Sequence, residues 1–194
     1  MKKSNYIKKG LLIAILITVT AGLTYAAFGD KGKVLGSKFS VGSADIKLLL
    51  DTDVGTVPEN LVEEMPGPQF DNVVPNWSED YEIKIFNNGS TPVTLTSNAD
   101  YLTANDPDEL RSIIYVEPII WNDIDTNGIV DSGEEGESLG RKTIVKWKTE
   151  GYQIGEVASG AVKSLILRFS TDAVSDTKQG KSAIFDFSFD SLGM

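Results

Sequence analysis

The sequence predicts an all-β protein: a single jelly-roll-like antiparallel β-sandwich with one short helix, preceded by an N-terminal hydrophobic signal helix. Apolar and polar residues alternate with a period of two along about eight segments, which is typical of half-buried strands. Gly, Pro, Asn and Asp separate these segments, as in antiparallel sheets. After the leader, residues 27–194 have a length that suits one domain with a full core.

The N-terminal segment is typical of an export signal. Four lysines form its basic start: Lys2, Lys3, Lys8 and Lys9. An apolar run, Leu11–Leu23, and the small residues Ala26 and Ala27 follow. We therefore predict a signal peptide over residues 1–26, cleavage between Ala26 and Ala27, and a secreted protein of the cell surface or extracellular matrix. The alternative is an uncleaved anchor, since a spanning helix needs about 20 apolar residues.

Composition excludes several classes of function. The chain has no cysteine and no histidine, and its formal net charge is −10. Without histidine it cannot form a His-Glu-x-x-His zinc site or a Ser-His-Asp triad, so we predict that it is not an enzyme. Its acidic surface would repel phosphate backbones, which makes nucleic acid an unsuitable partner.

The strands follow in order along the chain. Apolar residues at alternate positions predict them at the following places: Phe39 and Val41; Ile46, Leu48 and Leu50; Tyr81, Ile83 and Ile85; Val93 and Leu95; Ile113–Trp121; Val145 and Trp147; Leu165, Leu167 and Phe169; Ala183, Phe185, Phe187 and Phe189. Pro118 predicts an edge or a bulge, because proline lacks the N–H that a ladder needs.

Two other segments interrupt the strands. Pro107–Ile113 is predicted to be the short helix, with Asp106 as its N-cap and acidic residues in the first turn. Asp51–Asn76 is less periodic and rich in proline, so we predict a long surface connection. No internal repeat or linker divides residues 37–194, which we interpret as one β-sandwich domain.

Several stretches resemble the TasA/camelysin family of secreted biofilm-matrix proteins, whose leaders are cut by a dedicated signal peptidase of the SipW type. The strongest is the head, where Thr24–Asp30 matches the family's cleavage junction and Lys38–Leu48 matches its first strand pair. Tyr81–Ser90 resembles a family strand and its Asn-x-Gly-Ser turn, and Lys178–Ser182 and Phe185–Phe189 resemble the closing strand. The acidic loop described below has no counterpart in that pattern.

The resemblance implies a jelly-roll subunit that polymerises with itself into extracellular fibres by donor-strand complementation, with a companion matrix protein as a further partner. The donor implied is the extended segment 27–36, with Phe28, Val34 and Leu35 as anchors. Such a strand would fill an apolar groove beside unpaired backbone groups of the next molecule. Cleavage before Ala27 would then control assembly. The alternative is a frayed terminus.

An acidic loop predicts a calcium site. Residues 123–134 fit the D-x-D-x-N-G-x5-E pattern position for position. The predicted ligands are Asp123, Asp125, Asn127, the Ile129 carbonyl, Asp131 and Glu134. Hard oxygens at these positions suit Ca²⁺, and Gly128 permits the sharp turn. No amphipathic helix precedes the loop, so we predict a lone structural Ca²⁺ site between strands; the alternative is a solvated acidic turn.

Two other functions stay open. Camelysin relatives are associated with surface protease activity, although no metalloprotease motif is present here. A monomeric adhesin or carbohydrate-binding sandwich could use aromatic side chains, and the chain offers Trp77, Trp121 and Trp147. The clean alternation around Trp147 favours core packing for that residue instead.

Overall fold

The computed structural model describes residues 32–34, 38–41 and 45–193. The predicted leader, the cleavage site at Ala26 and Ala27, and the candidate anchors Phe28 and Leu35 lie outside these residues. The described part belongs to a single compact unit that begins at Gly32. Among the residues that the structure describes, no helix combines the length and the apolar character needed to span a bilayer.

Strands hold about half of the described residues and are their predominant regular structure, which confirms the all-β class. The strands, in chain order, are β1 Gly32–Val34, β2 Lys38–Val41, β3 Ile46–Leu49, β4 Leu61–Val62, β5 Glu64–Pro66, β6 Phe70–Val73, β7 Ser78–Asn87, β8 Val93–Asp100, β9 Ile114–Trp121, β10 Glu135–Ser138, β11 Lys142–Thr143, β12 Tyr152–Val157, β13 Val162–Thr171, β14 Ser182–Ala183 and β15 Asp186–Gly193. Among the described residues there is one α-helix, α1, which spans Ile144–Glu150. Single 3-10 turns occupy Pro58–Asn60, Thr103–Asn105, Leu110–Ser112 and Asp176–Lys178.

Two large sheets form the sandwich. The seven-stranded sheet has the order β10-β9-β13-β7-β3-β4, with β11 also paired to β9. The five-stranded sheet has the order β12-β8-β15-β2-β5. A small third sheet has the order β14-β1-β6. The long antiparallel pair of β7 and β13 runs without a register shift from Ser78 opposite Ser170 to Phe86 opposite Val162, and it forms the centre of the seven-stranded sheet.

The core is aromatic and draws on both sheets. The ring of Phe187 stacks on Phe39 at 5.0 Å and on Trp147 at 4.6 Å between centroids. Phe169 meets Phe187 edge-on at 5.7 Å. These contacts confirm that the apolar residues predicted to alternate in β2, β13 and β15 face the core, because alternate residues of a strand share one face.

The segment around Trp147 is a helix, so the strand predicted there is wrong. The side chain of Thr143 accepts a hydrogen bond from the Lys146 N–H, which caps the first turn. Ile144 and Trp147 are both fully buried, and their spacing of three residues places them on one helical face. Gly151, with φ of 66°, ends the helix.

The other irregular segments also differ from the predictions. Pro107–Ile113 contains one 3-10 turn rather than an α-helix. The Asp106 carboxylate nevertheless accepts hydrogen bonds from the Leu110 and Arg111 N–H groups, at 2.7 and 3.1 Å. Asp51–Asn76 is not a bare connection, because it contributes β4, β5 and β6. Pro118 lies in an interior strand, close to a register shift between β9 and β10.

Candidate functional site

The acidic loop connects β9 to β10, which pair as antiparallel neighbours. Trp121 lies opposite Glu135, and the Asn122 N–H donates to the Glu134 carbonyl at 2.9 Å, so the loop is closed at its base. Gly128 has φ of 74° and Gly133 has φ of 95°. Such left-handed conformations favour glycine, which explains why these two positions allow the loop to fold back on itself.

The loop gathers three carboxylates. Asp123, Asp125 and Glu134 each place a ligand oxygen within 4.8 Å of the others. The Asp123 side chain is 6% exposed and Glu134 is buried, whereas Asp125 is exposed. Clustered carboxylate oxygens are the ligands that Ca²⁺ prefers.

The remaining predicted ligands join the same network. The Asn127 amide donates to the Asp125 carboxylate at 3.0 Å and to the Asp131 carboxylate at 2.8 Å. The side-chain oxygen of Asn127 accepts from the Ile129 N–H at 2.7 Å. Hydrogen bonds therefore link Asn127 to Asp125, Asp131 and Ile129, the last through its backbone N–H rather than the predicted carbonyl. Asp123 lies near this network without a hydrogen bond to another predicted ligand among the described residues.

Glu134 is held as an anion by N–H donors. Its Oε2 accepts from the Trp121 indole and from the Asp131 N–H, both at 3.1 Å, and its Oε1 accepts from the Ile124 N–H at 2.8 Å. These donors, with the Trp121 indole the most important, lower the pKa of Glu134. Because hydrogen bonds to the charged form favour ionisation, Glu134 keeps its negative charge at neutral pH.

The two carboxylate oxygens of Asp123 differ in their partners. Its Oδ2 accepts from the Gly128 N–H at 3.3 Å and forms an ion pair with the Lys84 ammonium. Its Oδ1 is buried and has no hydrogen-bond partner among the described residues. An unsatisfied buried oxygen is costly, and a bound cation would satisfy it.

Lys84 is the residue of this site that the sequence did not reveal. It lies on β7 and is only 7% exposed. Its ammonium donates to the Thr52 carbonyl at 2.7 Å and lies 4.7 Å from the centre of the Trp121 ring, in addition to its pairing with Asp123. Its position between Ile83 and Ile85 predicts that Lys84 lies on the polar, solvent-facing side of the strand. The residues that bury it lie far away in the sequence, so the local pattern does not show them.

Residues 51–55 cover the acidic loop from the other side. The Thr52 hydroxyl donates to the Gly128 carbonyl at 2.8 Å. The two backbones approach so closely that a Cβ at Gly128 would lie 2.5 Å from the Asp53 nitrogen. Beside this contact lies a cavity of about 570 Å³, lined by residues that include Asp53, Lys84, Asp123 and Lys163.

Strand β1 is the described part of the segment implied as a donor. It pairs in parallel with β14, with Val34 opposite Ala183, and antiparallel with β6, with Val34 opposite Phe70. Val34 is 1% exposed. Strand β1 therefore occupies a slot between two strands of its own chain.

The tryptophans are mostly buried. Trp147 is fully buried and Trp121 is 3% exposed, so neither offers a face to a sugar. Trp77 is partly buried, packs edge-on against Phe70 at 5.0 Å and donates from its indole to Glu79 at 3.0 Å. The core packing predicted for Trp147 is confirmed.

No family model and no curated protein matches the chain. Among solved structures, the ASH/PapD-like domain of human CEP192 (PapD-like domain 7) is similar at 11% identity, over 63% of this chain and 78% of that chain, with a TM-score of 0.24. So distant a likeness carries no argument about function. The residues of the chain itself must therefore carry the functional proposal.

Proposed function

We propose that the chain is a secreted structural subunit of extracellular matrix fibres, which polymerises by donor-strand exchange through residues 27–36 and is stabilised by calcium in the acidic loop. The resemblance to the TasA/camelysin family implies this role. The observation that carries it is the placement of β1, whose two pairing partners, β6 and β14, come from distant parts of the sequence.

The slot around β1 has the properties that strand exchange needs. Its walls are built by residues 70–73 and 182–183, so they do not depend on the identity of the strand between them. Backbone hydrogen bonds on both sides would bind any extended segment, and the buried position of Val34 would select an apolar side chain. The same segment of a second copy satisfies both requirements.

Exchange between copies can lead to a fibre because each copy donates through one surface and accepts through another. The donor segment and the slot are different surfaces, so the contact is heterologous, and it gives an open filament where the rotation between successive copies does not close a ring. Each subunit then fills one slot and offers one strand. A chain that fills its own slot is the unassembled form, and the acidic surface keeps that form soluble.

Electron microscopy of the protein that begins at Ala27 tests the donor role. We expect fibres from the unaltered protein and none from Val34→Asp, because a carboxylate cannot be buried in the slot. Val57→Asp, at a position that is 44% exposed, is the matched control and should assemble normally. Fibres of equal length from Val34→Asp would contradict the proposal.

A second measurement does not depend on the folding of a variant. A synthetic peptide of residues 27–36, added in excess to assembling protein, should occupy open slots and shorten the fibres. A peptide of the same composition in scrambled order is the control. Equal shortening by both peptides, or by neither, would contradict strand exchange.

The calcium part of the proposal rests on the acidic cluster together with the unpartnered Asp123 oxygen. Extracellular calcium modules bind with Kd values of about 10⁻⁴ to 10⁻³ M. Binding to the native state alone raises stability through mass action, so millimolar calcium should raise the unfolding midpoint relative to chelator. Magnesium at the same concentration is the control, and an unchanged midpoint with calcium would leave the loop as a plain acidic turn.

A further inference from the structure

We infer that Lys84 is the resident cation of the acidic loop and that calcium must displace its ammonium from Asp123, so that this lysine sets the calcium concentration at which the loop fills. The inference rests on the proposed calcium binding and adds a residue that the calcium-loop pattern does not contain. It also links the loop to residues 51–55, because Lys84 contacts both.

The environment of Lys84 is built for a cation. The ammonium is held by one carboxylate, by the Thr52 carbonyl at 2.7 Å and by the face of Trp121 at 4.7 Å. Both charged partners are shielded from water, with the Lys84 and Asp123 side chains 9% and 6% exposed. A charge buried to this degree needs compensation, so each side chain depends on the other in the absence of metal.

The charges around the pair explain why a cation is needed there. Asp123, Asp125 and Glu134 bring three carboxylates together, and Glu134 accepts hydrogen bonds from three N–H donors. Lys84 is the ammonium that contacts this cluster among the described residues. Asp53 and Lys163 also line the neighbouring cavity, and within the part of the chain that the structure describes neither forms a hydrogen bond or an ion pair with the cluster.

Calcium and Lys84 compete for the same group. A calcium ion at the first position of the loop needs the Asp123 carboxylate, of which one oxygen already accepts from Lys84. Two cations on one carboxylate in a site of low dielectric repel each other strongly. The cavity beside Lys84 gives its side chain room to swing away from Asp123 and toward the Asp53 side.

Displacement would also break a contact outside the loop. Lys84 bridges residues 51–55 and the acidic loop, because it donates to the Thr52 carbonyl and pairs with Asp123. A direct hydrogen bond, from the Thr52 hydroxyl to the Gly128 carbonyl, also joins the two segments. Calcium binding therefore replaces a lysine bridge between two segments with a metal held by one of them. The Trp121 indole, which lies beneath the ammonium, should report this replacement.

Calorimetric titration of the full mature chain with calcium chloride, beside Lys84→Met and Lys163→Met, tests the inference. We expect Lys84→Met to bind calcium at least tenfold more tightly than the unaltered protein and to have a lower unfolding midpoint in chelator. Lys163→Met, which removes a lysine from the same cavity, should change affinity less than threefold. Equal or weaker binding by Lys84→Met overturns the inference.

The outcomes separate the inference from the proposed calcium site. Calcium binding by the unaltered protein with no gain in Lys84→Met overturns the role of Lys84 alone. Calcium binding by neither protein overturns both. Binding by Lys84→Met alone supports the role of Lys84 and overturns calcium binding by the unaltered protein.

Amine acetylation followed by peptide mass spectrometry provides a test on the unaltered protein, which avoids any folding defect of a variant. In chelator, Lys84 should react slowly because its ammonium is buried and paired. With calcium, we expect its rate to rise severalfold, while the half-exposed Lys38, paired to Glu64, keeps its rate. A Lys84 rate that calcium leaves unchanged or lowers would overturn displacement.

Discussion

The two faces of the seven-stranded sheet bury side chains by different means. On the inner face, Leu165 and Leu167 of β13 join the aromatic core that both large sheets share. On the outer face, Ile166 of the same strand packs with Ile119 and Trp121 in a small cluster beneath the acidic loop. Two charged residues, Lys84 and Glu134, are also buried on that outer face.

The contrast separates two kinds of stability in one sheet. The stability that apolar packing contributes depends on the buried area and on how closely the side chains fit. The contribution of the inner face should therefore change little with the ions in solution. The outer face is a polar network in which each charged group relies on a partner, so its stability should depend on metal and pH. Substitutions on each face can test this difference.

The largest effect is expected on the inner face. Phe187→Ala removes a ring that contacts Phe39, Trp147 and Phe169, and it should lower the free energy of unfolding by about 3–5 kcal/mol. The loss should be the same in calcium and in chelator, as measured by chemical denaturation. A loss that calcium halves would show that the two faces are coupled.

The control for that substitution lies on the same strand. Leu192 is 62% exposed, so Leu192→Ala should change the free energy of unfolding by less than about 0.5 kcal/mol.

The next effect is expected where the acidic loop meets residues 51–55. Gly128→Ala forces a side chain into a left-handed conformation and against the Asp53 backbone, and should cost about 3 kcal/mol in all. Gly133→Ala in the same loop has a similar φ and open space around it, so it should cost about 1 kcal/mol. Thermal unfolding with and without calcium measures both; equal losses would mean that the close approach does not matter.

A smaller effect is expected for the hydroxyl that joins the two segments. Thr52→Val removes the bond to the Gly128 carbonyl, but keeps the Thr52 carbonyl that accepts from Lys84. We expect a loss of about 1 kcal/mol, as is usual for one hydrogen bond. Thr149→Val, whose hydroxyl contacts only carbonyls of its own helix, is the control and should lose less. A larger loss in the control would contradict the importance of this contact.

The inner face was largely predictable from the sequence, because period-two alternation is a local property. Phe187 and Phe189 alternate with Asp186 and Ser188, and the structure buries the two aromatic residues as expected. The failure at Trp147 has a local cause as well. Over so few residues, apolar positions two or three apart fit a strand and one turn of a helix equally, and the cap at Thr143 favours the helix.

The outer face was only half predictable. The calcium-loop pattern located the carboxylates, because its ligands follow one another along a short stretch of chain. Lys84 could not be found in this way. It lies 32 positions from Thr52 and 39 from Asp123, so its burial exists only once β7 is packed beneath both loops.

The smallest effect is a difference in pH dependence. In chelator, Glu134 contributes stability that is present above its unfolded pKa of about 4.3 and is lost as pH falls through its lower folded pKa. Glu134→Gln removes this contribution, so its free energy of unfolding should fall less steeply between about pH 5 and 3 than that of the unaltered protein. Glu82→Gln on β7 is the control.

Trp121 fluorescence follows the same transition, since its indole donates to Glu134. Parallel pH profiles for Glu134→Gln and the unaltered protein would mean that the N–H donors do not hold the anion.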